Sequence, residues 1–328
     1  MQDSNIPRIK DPVRTNNVWM TVIKIIICAG LLWIVFTRID INTVFAVMAR
    51  INPWYFVVAY IIYIIANLFF IIRWKIVLNA TGINNRFIRL VGLYYIGCFF
   101  NNFLLGAVGG DIIKAYYSGK DTAKTELSFI SVFLDRYIGL IALLILITLT
   151  SFFVDYQLLG VQFYFFLIPI TVIALGITAL LSTGFAIYVN RLLGNHMRQV
   201  QNFISLANQA FKTVFTRFSL FIWAIICTFA FLLIVSLINY LFVISMGRSI
   251  DMGYITLFTF LMALIASIPI TINGIGLREI TFLYLFSGHG LSPDEAVALA
   301  LLGFLLVVTF SLPGGIIFLI WRQRSSSA

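Results

Sequence analysis

The sequence contains few charged residues. Asp, Glu, Lys and Arg make up only 10% of its 328 residues, whereas 61% are hydrophobic and the mean hydropathy is +1.03. Soluble domains carry about 25% charged residues, so this composition excludes a soluble globular protein. We expect the bilayer to be the solvent and residues 1–328 to form a single transmembrane domain.

Cysteine and histidine are also scarce. Cys28, Cys98 and Cys227 lie within apolar runs and show no paired spacing, which argues against a disulfide framework or a zinc site. His196 and His289 lie far apart in loops and do not form a metal-binding pattern. No nucleotide-binding loop is visible, since the Lys-Ser/Thr pair of such a loop is missing. We therefore expect no metal and no cofactor.

Long apolar runs dominate what is present. A helix needs roughly 20 apolar residues to cross the hydrocarbon layer. The runs lie at 18–37, 54–72, 88–105, 128–153, 162–189, 218–246, 252–270 and 295–321, with a shorter one at 277–287. They predict an all-α polytopic membrane protein.

Basic residues outnumber acidic ones, 22 to 12, giving a formal charge of +10. They lie in the loops between apolar runs, which indicates positive-inside orientation and no nucleic-acid partner. If 88–127 enters and leaves on one side, only Arg38, Arg50 and Arg248 remain outside up to residue 251. This arrangement predicts a cytoplasmic N-terminus at 1–17 and a cytoplasmic C-terminus.

The stretch at 190–217 mixes basic and apolar residues. This pattern suits an amphipathic helix on the cytoplasmic surface. A plain connecting loop is the alternative interpretation.

Two apolar regions are interrupted by Asn and Gly, which favour breaks in a helix. The first interruption follows the run at 88–105, and the second follows the run at 252–270. They predict two re-entrant hairpins of broken helices, in addition to about six full spans. The residues expected at the breaks are Asn101, Asn102, Gly109, Gly110, Asn273, Gly274 and Gly276.

Six charged residues adjoin these breaks or lie inside apolar runs, namely Asp111, Lys114, Asp135, Arg136, Arg278 and Glu279. A charge at membrane depth costs at least about 2.5–3.5 kcal/mol, so it is normally paired or faces a wet cavity. One interpretation is a cavity that binds a lipid head group, with Arg136 and Arg278 holding its phosphate. The other is a set of ion pairs that hold broken helices together.

Adjacent helical residues do not face each other, so Asp135 and Arg136 need separate partners. The sequence offers Asp111, Arg278 and Glu279 as the partner candidates.

Three stretches, at 101–111, 131–139 and 268–279, resemble the signature stretches of the lysylphosphatidylglycerol synthase transmembrane-region family, which is also described as flippase-like. Members of that family commonly have a proline before the Gly-Gly-Asp turn, where Leu105 stands here. The resemblance implies a stand-alone member without the cytosolic aminoacyltransferase domain. In the two-part members, this region is thought to move aminoacylated phosphatidylglycerol between leaflets.

We therefore expect a lipid translocase or lipid-binding transporter in the inner cell membrane, acting on anionic phospholipids or isoprenoid-linked lipids. The alternatives are a membrane-embedded lipid aminoacyltransferase or glycosyltransferase, or an accessory subunit of such a lipid-modifying enzyme. No catalytic motif supports the enzyme interpretation.

Overall fold

The computed structural model describes residues 18–103, 109–122, 124–158, 161–183, 198–268, 271 and 274–326. Within this part of the chain, twelve helices confirm the predicted all-α membrane fold. They are α1 (Val18–Phe36), α2 (Ile41–Arg50), α3 (Pro53–Ala80), α4 (Phe87–Phe103), α5 (Gly109–Thr122), α6 (Thr125–Ser151), α7 (Tyr164–Thr183), α8 (Arg198–Thr216), α9 (Phe218–Ser245), α10 (Met252–Ala266), α11 (Leu277–Phe286) and α12 (Pro293–Ser326). Two short antiparallel strands, β1 (Gln157–Leu158) and β2 (Val161–Gln162), join α6 to α7.

Four of the described helices are long and apolar enough to cross a membrane, namely α3, α6, α9 and α12. A fifth candidate is the pair Ile26–Phe36 and Ile41–Arg50, which bends by 81°. The run predicted at 162–189 corresponds to α7, which has 20 residues. At the usual rise per residue, α7 extends about 30 Å. The total of six spans and the cytoplasmic location of both termini stay predictions.

Helix ends on one side of the bundle carry basic residues. Lys124 Nζ donates a hydrogen bond to the Gly82 carbonyl at 2.8 Å, which joins the loop after α3 to the loop before α6. The Arg89 guanidinium lies 3.8 Å from the centroid of the Trp321 ring, which places the start of α4 beside the end of α12. We call this side, defined by these four residues, the basic face.

The other helix ends meet on the opposite face. The backbone N–H of Asp40 donates to Asp294 Oδ1 at 2.9 Å, so α1 ends where α12 begins. The Tyr254 hydroxyl donates to the Asp155 carbonyl at 2.9 Å, so α6 ends where α10 begins. Since α12 runs from this face to the basic face, these contacts fix the direction of the long helices.

The first predicted hairpin is formed by α4 and α5. The Asn85 amide donates to Ser118 Oγ at 2.7 Å near the basic face, and Asn101 Oδ1 accepts from the Gly110 N–H at 2.9 Å near the tip. The two helices are therefore antiparallel. The first has 17 residues and the second has 14 residues. They extend about 25 Å and about 21 Å, which is less than the roughly 30 Å of the hydrocarbon layer.

The residues predicted at this break flank it. Asn101 and Asn102 belong to the last turn of α4, while Gly109 and Gly110 begin α5. The connection at 104–108, including Leu105, lies outside the described residues. A Cβ added at Gly110 would overlap the Gly97 carbonyl oxygen. Glycine, which has no Cβ, therefore permits the close approach of the two helices.

The second predicted hairpin is formed by α10 and α11. The first of these helices has 15 residues and the second has 10 residues. They extend about 22 Å and about 15 Å. The rings of Phe258 and Phe286 lie 5.1 Å apart, which packs the two helices side by side near the opposite face. The first hairpin thus starts from the basic face and the second from the opposite face.

The turn of the second hairpin contains two glycines with left-handed backbones. Gly274 has a φ of 77° and Gly276 a φ of 81°. This region of backbone conformation favours glycine. The predicted turn residue Asn273 lies outside the described residues.

The polar stretch predicted at 190–217 forms α8 in its described portion, with residues 190–197 outside it. Ala210, Phe211 and Val214 are buried against α3, α6 and α9, whereas Gln209 and Lys212 are exposed. The helix is therefore amphipathic. Its cytoplasmic location stays a prediction.

Candidate functional site

A cavity of about 580 Å³ lies where the tip of the first hairpin meets α3, α6, α9 and the end of α10. Three cationic side chains and two carboxylates are among its described lining residues, along with several aromatic rings. We call it the polar lobe and define it by Arg73, Lys114, Arg136, Asp111 and Asp135.

A smaller cavity of about 250 Å³ adjoins the polar lobe on the side of the second hairpin. Its lining is mostly apolar and includes Arg278, so we call it the arginine lobe. The two lobes share four lining residues, which are Phe231, Leu232, Ala263 and Ala266. They therefore form adjacent parts of one interior space between the two hairpins.

Asp111 joins the first hairpin to α6. It lies in the first turn of α5, where the helix dipole stabilises a negative charge. Its carboxylate contacts the Arg136 guanidinium and lies 3.2 Å from Lys114 Nζ. Asp111 and Lys114 are buried, whereas the Arg136 side chain is 48% exposed. Arg136 thus carries its charge at the open side of the polar lobe.

Asp135 pairs with Arg73. The guanidinium donates to both carboxylate oxygens, at 2.8 and 3.0 Å, and also to Thr228 Oγ1 at 2.9 Å. A Cβ at Gly139 would lie 2.7 Å from Arg73 Nη1, so this glycine makes room for the guanidinium. The guanidinium also lies 4.5 Å from the centroid of the Phe70 ring. The pair ties α3 to α6 and α9.

This arrangement corrects the partner expectation from the sequence. Asp111 is indeed a partner of Arg136, but the partner of Asp135 is Arg73, which was not among the three candidates. The position of Arg73 directly after an apolar run is the signal that could have identified it as a partner of Asp135. The run predicted to end at 72 continues as helix through Ala80, so Arg73 lies inside α3 and not in a loop.

Arg278 and Glu279 occupy the start of α11 and have different roles. Glu279 Oε2 accepts a hydrogen bond from the Gly276 N–H at 2.7 Å, and this contact caps the helix. Arg278 Nη1 is buried and has no hydrogen-bond partner among the described residues. The guanidinium carbon lies 5.4 Å from the centroid of the Phe304 ring, which is a cation–π contact.

The site residues expected from the sequence are therefore only partly together. Asp111, Asp135 and Arg136 line the polar lobe, Arg278 lines the arginine lobe, and Glu279 is not among the lining residues of either. Joint binding of one phosphate by Arg136 and Arg278 stays a prediction.

Comparison with known proteins gives the family. Residues 21–315 match the family model described as "Lysylphosphatidylglycerol synthase TM region". The UPF0104 membrane protein PH1989 of Pyrococcus horikoshii is 24% identical over 332 aligned residues, which cover 90% of this chain and 95% of that protein. The UPF0104 membrane protein MJ1595 of Methanocaldococcus jannaschii is 28% identical over 100 residues, or 30% of each chain. Because the family model covers most of the chain, the protein belongs to the lysylphosphatidylglycerol synthase TM region family.

Proposed function

We propose that the protein is a lipid translocase of the inner cell membrane, in which the head group of a polar or isoprenoid-linked lipid passes through the two lobes. The observation that carries this proposal is the interior space between two hairpins that start from opposite faces. Transporters with broken helices commonly hold their substrate between such elements, near the middle of the bilayer. Arg136 lies about 16 Å along α6, a helix of about 40 Å, which supports a site at that depth.

The charges around the lobes support a phosphate-containing head group. An arginine can hold phosphate oxygens through its planar fork, and an excess of cations over carboxylates favours an anion. Arg136 at the open side of the polar lobe and Arg278 in the arginine lobe supply two such forks. A head group moving from one lobe to the other would meet a cation in each.

The distribution of basic residues supports the orientation. Lys124 and Arg89 lie at the basic face, together with the loops that join α3 to α4 and α5 to α6. Lys and Arg are enriched in cytoplasmic loops, so we assign the basic face to the cytoplasm. Both chain termini would then be cytoplasmic.

The proposal is tested by reconstituting the purified protein in liposomes with a fluorescent phosphatidylglycerol and measuring how much probe a membrane-impermeant quencher reaches over time. We expect wild-type protein to expose inner-leaflet probe, and Arg136→Gln to slow this exchange. Hydrogen bonds to charged groups contribute about 1.5–3 kcal/mol, so head-group affinity should fall about tenfold or more. Exchange no faster than in protein-free liposomes would overturn the proposal.

Arg248→Gln is the matched control. Arg248 pairs with Glu295 at 2.9 Å, and the two side chains are 51% and 11% exposed, much like the Arg136–Asp111 pair at 48% and 10%. Arg248 is not among the lining residues of either lobe. We expect this variant to exchange lipid at the wild-type rate, which separates the effect of the site from the general effect of losing a half-exposed ion pair.

Arg278→Ala tests the second lobe. We expect it to insert and fold but to lose exchange, because its guanidinium is the cation of the arginine lobe. Unchanged exchange would remove Arg278 from the proposed path.

The same liposomes also distinguish the alternative functions. Product formation from donor and acceptor lipids would favour a transferase, and exchange only with an added lipid-modifying enzyme would favour an accessory subunit.

A further inference from the structure

Lys114 is a buried cation with one carboxylate contact in the described part of the chain. Its Nζ lies 3.2 Å from Asp111 Oδ1, 4.6 Å from the centroid of the Trp74 ring and 5.9 Å from that of Tyr94. An ammonium group has three N–H donors, and a ring face takes up charge without accepting a conventional hydrogen bond. Lys114 lines the polar lobe, so a ligand in the lobe could accept from it.

Trp74 supplies a second donor in the same place. Its side chain is fully buried and lines the polar lobe, yet Nε1 has no hydrogen-bond partner in the described part of the chain. An indole N–H can only donate, and buried donors are normally satisfied. The corner formed by Trp74 and Lys114 thus places an unsatisfied donor beside a cation in the wall of the lobe, and a group that only accepts hydrogen bonds, such as a phosphate oxygen, would satisfy that donor.

The charges of the polar lobe do not balance. Arg73 and Asp135 neutralise each other through two hydrogen bonds. Asp111 then stands as a single carboxylate beside both Lys114 and Arg136. The described lining residues therefore carry three cations and two carboxylates, an excess of one positive charge. A head group of charge −1 would neutralise the lobe, whereas a head group of charge +1 would add a like charge to it.

The aromatic rings reinforce this preference. Aromatic faces can bind an ammonium group, but the Phe70 face is already occupied by Arg73 and the Trp74 face by Lys114. The protein's own cations thus already lie against two of the aromatic rings that line the polar lobe.

We infer that the polar lobe selects head groups by charge: it binds a phosphodiester of net negative charge at Lys114 and Trp74, and it rejects a phospholipid esterified with a basic amino acid. This inference rests on the proposed function in assuming that the ligand is a lipid head group. It adds a substrate class, and it assigns ligand contacts to Trp74, which sequence reasoning did not single out, and to Lys114, which sequence reasoning placed beside the first break without a ligand role.

The test measures binding in detergent, apart from any exchange. Wild-type protein is titrated with phosphatidylglycerol, phosphatidylethanolamine and lysyl-phosphatidylglycerol of equal acyl chains, with lipid occupancy read by native mass spectrometry. We expect affinity to fall in that order, by about tenfold or more between the first and the last, because like-charge juxtaposition is strongly unfavourable. Equal affinities, or a preference for the lysyl ester, would overturn the inference.

Two variants and one control locate the selection. Lys114→Gln should remove most of the difference in affinity between phosphatidylglycerol and its lysyl ester. The substitution removes the excess positive charge, while Asp111 stays paired with Arg136. Trp74→Phe keeps a ring beside Lys114 but removes the N–H, so phosphatidylglycerol affinity should fall severalfold. If Lys114→Gln does not fold, Trp74→Phe still tests the proposed site. Unchanged phosphatidylglycerol affinity in that variant would exclude the proposed contact with the Trp74 N–H. Arg248→Gln should behave as wild type.

Glycerophosphoglycerol, the free head group, distinguishes the source of the phosphate. If it competes with the intact lipid at similar concentration, the site is a soluble-phosphodiester site and the lipid assignment is wrong. The same preparation is then assayed for leaflet exchange in liposomes. Selective binding without exchange would refute the proposed translocase and keep the charge selection, whereas exchange with no charge preference would refute the selection alone.

Discussion

The buried Arg73–Asp135 pair separates a structural role of these charges from a ligand-binding one. We expect Asp135→Asn to destabilise the protein by about 3–5 kcal/mol, the usual cost of removing one partner from a buried ion pair. The guanidinium would keep its bond to Thr228 but would lose both carboxylate contacts at a buried position. The side-chain exposures of 7% and 8% justify treating the pair as buried.

The assay is the free energy of unfolding in mixed micelles, measured over a denaturant titration. The double variant Arg73→Met/Asp135→Leu should recover most of the lost stability, because replacing a whole buried pair by apolar side chains is often neutral or stabilising. Arg248→Gln serves again as the control, because the Arg248 side chain is 51% exposed and Glu295 keeps a hydrogen bond from the Ser292 N–H at 2.8 Å. Loss of an ion pair with an exposed arginine usually costs about 0–1 kcal/mol.

Three outcomes would refute this reasoning. Asp135→Asn could prove no more harmful than Arg248→Gln, or the double variant could prove as unstable as the single one. Asp135→Asn could also keep wild-type stability while losing lipid binding, in which case Asp135 would serve the ligand and not the fold.

Two further variants test the packing of the hairpin and the passage between the lobes. Gly110→Ala should prevent the first hairpin from closing and abolish folded protein by size-exclusion chromatography, because its Cβ would overlap the Gly97 carbonyl oxygen. Gly176→Ala, where a Cβ meets nothing within 4 Å, should be tolerated, and equal damage in both would contradict the close-packing argument. Phe231→Ala removes a ring that lines both lobes and stacks on Phe70 at 3.8 Å, so lipid exchange should become faster; slower exchange in folded protein would show that the ring does not restrict the passage.

The hairpins could be predicted from sequence because their cause is local. Asn and Gly interrupt apolar runs, and the resulting helices α4, α5, α10 and α11 are each shorter than the roughly 20 residues that usually cross a bilayer. The count of loop charges added a second, independent indication of the first hairpin. Both signals depend only on residue type and chain position.

The ion pairs could be predicted only in part because their cause is not local. The sequence showed that Asp135 and Arg136 need different partners, which follows from helix geometry. It did not show that Arg73, 62 residues away, supplies one of them, since this depends on how α3 packs against α6. The sequence also could not show that Arg136 and Arg278 line two adjacent lobes, because residues of α9 and α10 line both lobes and join them.

A hairpin that returns to the face it came from leaves the sidedness of everything downstream unchanged. Excising α4 and α5 as a unit would therefore not invert α6 or any later helix, and the same holds for α10 and α11. Reporter fusions placed before and after either hairpin would mark the same compartment. In the predicted re-entrant topology, the long helices therefore set which side of the membrane each loop reaches, and the hairpins can vary without reorienting the rest of the chain.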